Sequence, residues 1–378
     1  DMVNGPLARK ILIYSIPLMF SNLLQVFFNM TDVAVVGKFA GARALGSVGS
    51  TTIIITLTTG ILLGMGGGVN AVTALHMGAE DYQRVHKTVH TSVILCFIAG
   101  LLLLVAGLAF SKPLLEVMNT KPELIDGATA YLMIYLCGSP ALALYNFGNG
   151  VLSAVGDTKR PLIYLSISGI INIVLNLFFV IVCKLDVAGV AIGTIVSQFV
   201  SSVLVLYCLS KADTSYKLCF NKLAIDKEYM LQIFQVGIPA GIQSTVINIS
   251  NAMLQSSVNS FGSIAMAGYT AANNILGFLY VSVNSITQAC MSFTSQNYAV
   301  GKQKRMDRVL IDCLFLTTAV ALVMGSASYI FGTQILGIYT SNSEVIKSGL
   351  EIISITTIPY FLLSLIHISE PTRLRRIS

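Results

Sequence analysis

The sequence predicts an all-α polytopic membrane protein made of two parallel helical repeats. Apolar residues make up 54% of the 378-residue chain and charged residues only 11%, whereas soluble domains carry about 25% charged residues. Ten segments are long and apolar enough to cross a bilayer, which takes about 20 residues per helix. In addition, residues 11–53 recur 222 positions later as residues 233–275.

The predicted spans follow one another with short polar connections. They cover residues 11–36, 50–75, 89–110, 130–152, 161–183, 187–209, 229–258, 265–293, 309–331 and 349–365. Pro17 and Pro239 lie at equivalent positions inside the first and seventh spans, and we expect them to act as hinges because proline removes a backbone donor. Gly60, Gly64 and Gly68 form a stripe on the second span, which favours close helix packing over a bendable hinge.

The two copies of the repeat are separated by an even number of spans, so both enter the membrane in the same direction. Parallel repeats of this kind are typical of secondary transporters, in which the binding site lies at the repeat interface. We expect an N-terminal six-helix lobe at residues 1–210, a cytoplasmic linker at 211–228 and an incomplete C-terminal lobe at 229–362. The symmetry is broken at one polar position, where Asp32 aligns with Leu254.

The distribution of Lys and Arg predicts the orientation. With the N-terminus in the cytoplasm, fourteen basic residues fall in inside segments and six in outside segments, as the positive-inside rule requires. These loops account for most of the net charge of +6, so we expect no nucleic-acid partner. The seven cysteines show no pairing pattern and the four histidines are dispersed along the chain, so we expect no metal site. No catalytic motif is present, and we expect no enzymatic activity and no cofactor.

The C-terminal end reads LSLIHISEPTR over residues 363–373. This text resembles a translated adapter used in preparing sequencing libraries, and the match to the first repeat stops where it begins. We therefore expect residues 363–378 to be a non-native tail on a reading frame cut short within its tenth span. We also expect the completed product, with two further spans, to be the functional protein.

The strongest candidate for chemistry is Asp32, in the outer half of the first span. A carboxylate at such a depth is costly and usually faces a cavity, a partner or a transported ion; the alternative is an interfacial residue that ends the helix. Asn22, Gln25, Asn29 and Asp32 recur at intervals of three or four, which gives one polar stripe on an apolar helix.

Further polar residues could join Asp32 at one buried proton or cation site. Asn172 and Asn176 lie four residues apart in the fifth span, and Thr194 in the sixth and Tyr131 in the fourth belong to similar pairs. Each of these residues could instead form a hydrogen bond that holds two helices together. The second lobe carries amides but no acid between Glu228 and Asp307, so coupling belongs to the first lobe. The candidate substrate-cleft residues are Gln25, Asn29, Gln243, Asn251, Asn273 and Asn274.

Several segments, in order, resemble the multidrug and toxic compound extrusion (MATE) family, in its DinF-like branch. They are the run IPLMFSNLLQVFFNMTDVAVVGKFAGARALGSVG from residue 16, GAEDYQRV, GVLSAVGDTKRP, INIVLNLFFV and VAGVAIGTIVSQ. The resemblance implies twelve helices in two six-helix lobes around a cleft, of which about ten are present here. It also implies export of cationic amphipathic compounds in exchange for protons or sodium.

Within that resemblance, Asp32 matches the acid whose protonation is thought to bend the first helix, and Tyr131, Asn172 and Thr194 match its polar neighbours. Where many DinF-like members have a second acid, this chain has Asn176, which favours protons over sodium as the coupling ion. We expect a monomer in a bacterial cytoplasmic membrane, exporting by alternating access. Two alternatives remain: a flippase for lipid-linked precursors, or a non-transporting receptor or scaffold.

Overall fold

The computed structural model of the chain describes residues 2–212, 216–259, 261–339 and 342–357, and within these ranges the chain is almost entirely helical with no strand. The α-helices in chain order are α1 (Leu7–Val35), α2 (Gly41–Gly78), α3 (Tyr82–Val117), α4 (Pro122–Cys137), α5 (Ser139–Ala154), α6 (Lys159–Leu177), α7 (Asp186–Ser210), α8 (Lys227–Asn259), α9 (Ser263–Ala299), α10 (Gln303–Ile330), α11 (Gly332–Tyr339) and α12 (Ser343–Thr357). Short π-helical turns, π1 (Val36–Ala40) and π2 (Phe178–Val182), continue α1 and α6.

The described helices confirm a polytopic membrane protein. Eight of them are long and apolar enough to cross a bilayer, and a bent pair brings the number to nine. The predicted span at 130–152 corresponds to a bent pair of helices, because α4 and α5 meet at an angle of 44°. The break falls at Gly138, and Pro140 lies in the first turn of α5, where proline lacks the donor that would continue α4. The predicted tenth span begins within α12, and its part beyond Thr357, with the tail at 363–378, lies outside the described residues.

The internal repeat is visible in the positions at which helices begin. The starts of α1, α2, α3 and α4 recur at the starts of α8, α9, α10 and α12 with an offset of 220–222 residues. Equivalent glycines mark equivalent helix crossings: a Cβ atom on Gly46 would lie 3.1 Å from Leu124 of α4, and one on Gly268 would lie 3.0 Å from the backbone nitrogen of Gly349 of α12. The two copies of the repeat are therefore similar in the positions of their helices as well as in sequence.

The chain packs into two compact units, and the boundary between the units falls within α1 and within α8. Unit two is Leu24–Asn248, and unit one consists of the described residues of Asp1–Leu23 and Ile249–Ser378. In unit one, Ile11 and Leu18 of α1 are buried in the same apolar core as Phe293 of α9. In unit two, Ile233 of α8 is buried in the main core. The predicted lobes keep α1 and α8 whole, whereas the boundary between the two units falls within each of these helices. The predicted lobe boundaries stay a prediction.

The glycine stripe of α2 packs against the first half of α8 inside unit two. A Cβ atom on Gly64 would lie 2.6 Å from the Cα atom of Gly241, and one on Gly68 would lie 3.0 Å from the Cα atom of Gly237. Real side chains essentially never approach backbone so closely, so only glycine allows this contact. The packing interpretation of the stripe is supported, since backbone meets backbone along two turns of helix.

Candidate functional site

Asp32 is buried near the C-terminal end of α1, with 7% of its surface exposed. One carboxylate oxygen, Oδ1, accepts a hydrogen bond from the side-chain amide of Asn176 at 2.5 Å, and the other, Oδ2, accepts one from the hydroxyl of Thr194 at 3.2 Å. No basic side chain forms an ion pair with Asp32 within the described parts of the chain. The carboxylate is thus held by neutral donors alone, away from water.

The donors to Asp32 are themselves held by a short polar network on α6 and α7. The Nδ2 atom of Asn172 donates to Thr194 Oγ1 at 3.2 Å, and the Nδ2 atom of Asn176 also reaches Asn172 Oδ1 at 3.3 Å. The hydroxyl of Thr194 lies 2.9 Å from the carbonyl oxygen of Val190, one turn earlier in α7. The spacing of four residues puts Asn172 and Asn176 on one face of α6. These contacts bring Asn172, Asn176 and Thr194 together with Asp32, and their role in ion coupling stays a prediction.

One atom of this network is left without a partner. The Oδ1 atom of Asn176 is buried and accepts no hydrogen bond from any described residue, which is uncommon for a buried polar atom. It lies against Gly193 of α7, where a Cβ atom would overlap it. Gly193 was not singled out from the sequence, because a glycine in an apolar helix gives no sign of which side chain it accommodates.

Tyr131 lies in the apolar shell of the site. It is 5% exposed and belongs to a buried cluster that includes Val35, Val36 and Val190, and its ring stacks on that of Tyr135 at 6.2 Å between centroids. Its hydroxyl makes no hydrogen bond among the residues that the structure describes. A direct role of Tyr131 in ion coupling stays a prediction.

Both helices that supply the carboxylate and its closest donor change to π-helical geometry just beyond the site. The turn π1 begins four residues after Asp32, and π2 begins two residues after Asn176. The two turns pack against each other, and π1 ends at Gly41 with a φ angle of +88°. Single π-turns inside α-helices are frequent at functional sites, where they re-aim side chains.

The remaining predicted site residues lie on the long helices. Asn22 donates to Ser285 Oγ at 3.0 Å within unit one, so the polar stripe of α1 serves different units at its two ends. The predicted cleft residues are part-buried or exposed: Gln25, Asn29 and Gln243 in unit two, and Asn251, Asn273 and Asn274 in unit one. A shared cleft stays a prediction, as do the hinges at Pro17 and Pro239, both of which lie inside helices.

A second polar cluster escaped the sequence analysis. His86 and His90 of α3 lie close to Cys219, in the segment between α7 and α8. The cluster could not be predicted because the third span was expected to begin at residue 89, whereas α3 begins at Tyr82. With the correct start, the two histidines fall one turn apart on the same helix.

Comparison with known proteins places the chain in a family. The family model described as MatE matches residues 17–178 and 239–371. The probable multidrug resistance protein YpnP of Bacillus subtilis (strain 168) is 27% identical over 351 residues, which cover 92% of this chain and 78% of that protein. The multidrug export protein MepA of Staphylococcus aureus (strain NCTC 8325 / PS 47) is 21% identical over 355 residues, which cover 93% and 78%.

Solved structures show the same fold. A crystal structure of MATE in complex with MaD3S superposes with a TM-score of 0.91 at 22% identity, covering 99% of this chain and 83% of that one. An outward-facing multidrug resistance MATE family transporter of the MOP superfamily superposes with a TM-score of 0.89 at 22% identity, covering 98% and 85%. The family match over most of the chain and the helical membrane fold agree, and the chain is a member of the MatE family of membrane transporters and not an enzyme.

Proposed function

We propose that this chain is a secondary antiporter that exports cationic amphipathic compounds, including drugs and toxins, in exchange for protons. Asp32 would be the group that carries the coupling ion. The observation that carries the proposal is the buried carboxylate held by an amide and a hydroxyl, with no ion pair in the described parts of the chain. An acid inside a membrane span is costly, and such residues usually mark an ion pathway or a proton relay.

The hydrogen bonds of Thr194 support a proton as the coupling ion. Its single hydroxyl hydrogen has two acceptors within reach, the carbonyl of Val190 at 2.9 Å and Asp32 Oδ2 at 3.2 Å. When Asp32 is ionised, the hydroxyl donates to the carboxylate. When Asp32 is protonated, the carboxyl group donates to Thr194, and the hydroxyl turns to Val190. Asp32 and Thr194 thus have a hydrogen-bond arrangement for either state of the carboxyl group, and one proton decides between the two arrangements.

Sodium is the alternative coupling ion, and the orientation of Asn176 weighs against it. A sodium ion would need oxygen ligands around Asp32, but Asn176 turns its NH₂ group toward the carboxylate and its oxygen away from it. Sodium binding would require this amide to rotate, which would also remove its contact with Asn172. Proton binding requires no such rotation.

The substrate class comes from the relatives and from the composition of the predicted cleft. The matched proteins of Bacillus and Staphylococcus are described as multidrug resistance or export proteins. Amide side chains on α1, α8 and α9 can accept hydrogen bonds from varied cationic groups without fixing one geometry. We infer a broad substrate range, a cytoplasmic N-terminus and residence in a bacterial cytoplasmic membrane as a monomer.

The proposed cycle uses reciprocal coupling between substrate and proton. Substrate binds while Asp32 is ionised, and a proton arriving from outside then neutralises the carboxylate and repacks the end of α1. Because the proton lowers affinity for the substrate, the substrate must lower affinity for the proton by the same factor. Alternating access of the cleft would follow from this exchange.

Dye efflux from cells tests the proposal. The gene would be expressed as wild type and as Asp32→Asn, with Asp126→Asn as a matched control because Asp126 is exposed on α4. We expect Asp32→Asn to abolish efflux and Asp126→Asn to leave it unchanged. Collapse of the proton gradient alone should stop wild-type efflux, and collapse of the sodium gradient alone should not.

The outcomes separate the alternatives. Normal efflux by Asp32→Asn would show that coupling does not use this carboxylate. Efflux that stops only when the sodium gradient is collapsed would leave Asp32 as the coupling residue and make sodium, not the proton, the coupling ion. Absence of efflux in all three proteins, at equal membrane expression, would favour the flippase or the non-transporting receptor.

A further inference from the structure

The cluster of His86, His90 and Cys219 brings three metal-binding side chains together. One ligand atom from each residue lies within 4.8 Å of the other two. The imidazole rings of His86 and His90 stack, with 3.9 Å between centroids. Cys219 carries a free thiol and belongs to the segment that leads from α7 into α8. All three residues lie in unit two.

The hydrogen bonds of His90 fix which ring nitrogen is available. Nδ1 lies 2.7 Å from the carbonyl oxygen of His86, which can only accept, so Nδ1 carries the hydrogen. With the hydrogen on Nδ1, Nε2 holds a lone pair that accepts a hydrogen bond from the backbone N–H of Cys219 at 3.0 Å, and it also lies 3.1 Å from the carbonyl oxygen of the same residue. A backbone carbonyl on one nitrogen with the other facing a ligand is the orientation that metal-binding histidines commonly have.

The other two side chains are free to bind. His86 makes no ring hydrogen bond among the described residues, and it is only part-buried. A cavity of about 350 Å³ opens beside it, lined in part by His86, His90 and Asp226. Asp226 faces the same space and pairs with Lys87 at 3.6 Å. The cavity has room for an ion and for a water molecule as the fourth ligand.

We propose that His86, His90 and Cys219 form a binding site for a thiophilic transition-metal cation, with Zn²⁺ as the ion that fits best. Two imidazoles and one thiolate are ligands that Zn²⁺ prefers, with bonds of about 2.0–2.3 Å. A tetrahedron of such bonds separates its ligand atoms by roughly 3.4 Å, so side chains now within 4.8 Å have to close by about 1 Å. The metal replaces the hydrogen bond between His90 Nε2 and the N–H of Cys219.

The charges around the cavity favour this class of ion over hard cations. Lys222 and Lys227 also line the cavity, and they oppose any cation held by electrostatic attraction alone. Mg²⁺ and Ca²⁺ require several oxygen ligands, which this cluster does not offer. A metal that forms strong bonds to sulfur and imidazole nitrogen overcomes the repulsion. Binding ties the segment before α8 to the start of α3.

Cobalt binding to the purified full chain tests the site, because Co²⁺ reports a thiolate ligand by a charge-transfer absorption band. We expect one Co²⁺ per chain with this band, displaced by Zn²⁺ and not by Mg²⁺. Cys219→Ser should lose the band, and His86→Ala should weaken binding at least about tenfold because one of three protein ligands is lost. Cys183→Ser is the matched control, since Cys183 is a free, exposed thiol outside the cluster.

A second measurement needs no variant. Alkylation of the wild-type protein, followed by peptide mapping, should be slowed by Zn²⁺ at Cys219 and unchanged at Cys183. Equal alkylation of Cys219 with and without Zn²⁺ would overturn the proposal. So would a charge-transfer band that persists in Cys219→Ser, because the thiolate would then come from another residue.

Discussion

The contact between Gly64 of α2 and Gly241 of α8 leads to a prediction about stability. A Cβ atom on Gly64 would lie 2.6 Å from the Cα atom of Gly241 and 2.9 Å from the carbonyl oxygen of Gly237. Carbon atoms in contact are normally about 3.5–4.0 Å apart. Both neighbours are backbone atoms, so no side chain can rotate away, and Gly64→Ala must push the helices apart by about 1 Å.

The expected magnitude follows from that displacement and from a control on the same helix. Inserting a methyl group into a packed interior costs about 1–3 kcal/mol, although alanine gains up to about 1 kcal/mol over glycine in a helix. Gly49 of α2 is exposed, and a Cβ atom there would meet nothing within 4 Å. Gly49→Ala therefore carries the helix gain without the clash, and the difference between the two variants isolates the packing cost.

The measurement is the melting temperature of each purified protein, which is read from the loss of the monodisperse peak in size-exclusion chromatography after heating. A difference of about 1–3 kcal/mol corresponds to roughly 2–12 °C, with Gly64→Ala lower than Gly49→Ala. Gly241→Ala sharpens the test, because its nearest contact would be an ordinary 3.5 Å to Ile61. If Gly64→Ala has the same melting temperature as Gly49→Ala and Gly241→Ala, the close backbone contact is absent and the reasoning is refuted.

Two further predictions concern the surroundings of Asp32. Asn176→Asp puts a second carboxylate beside Asp32, and two such charges about 4 Å apart repel by about 4 kcal/mol at an effective dielectric constant of 20. Because a bound cation relieves this repulsion, we expect efflux by the variant to require sodium. Unchanged efflux in sodium-free medium would contradict this. Gly193→Ala places a methyl group on Asn176 Oδ1 and should lower efflux at least about tenfold at normal membrane expression, whereas Gly49→Ala should not; equal efflux from both would show that the position of Asn176 is unimportant.

Much of the Asp32 site could be predicted from the sequence because its signals are local. A charged residue inside an apolar span is conspicuous, and the spacing of Asn172 and Asn176 places both on one face of a helix. The family resemblance then indicated which helices meet. The structure adds the direction of each hydrogen bond, the unpartnered oxygen of Asn176 and the glycine that accommodates it, none of which leaves a pattern along the chain.

Other features could not be predicted because they depend on contacts between distant segments. The apolar residues of α1 look alike from Ile11 to Val35, yet the first half is buried in the core of unit one and the second half in unit two. Likewise, 129 residues separate His90 from Cys219. Hydrophobic periodicity reports which face of a helix is apolar, but it does not report which core that face enters.

The division of α1 between two cores gives a physical reason for an acid at position 32. The helix is continuous from Leu7 to Val35, so a change at Asp32 acts on an element whose other end is fixed in a different core. The equivalent position on α8 is Leu254, an exposed apolar residue, which no proton or metal ion can alter. The two copies share their packing, whereas at these equivalent positions only the first has a side chain whose charge a proton can change. In the proposed antiport cycle, the proton-dependent change therefore begins at α1.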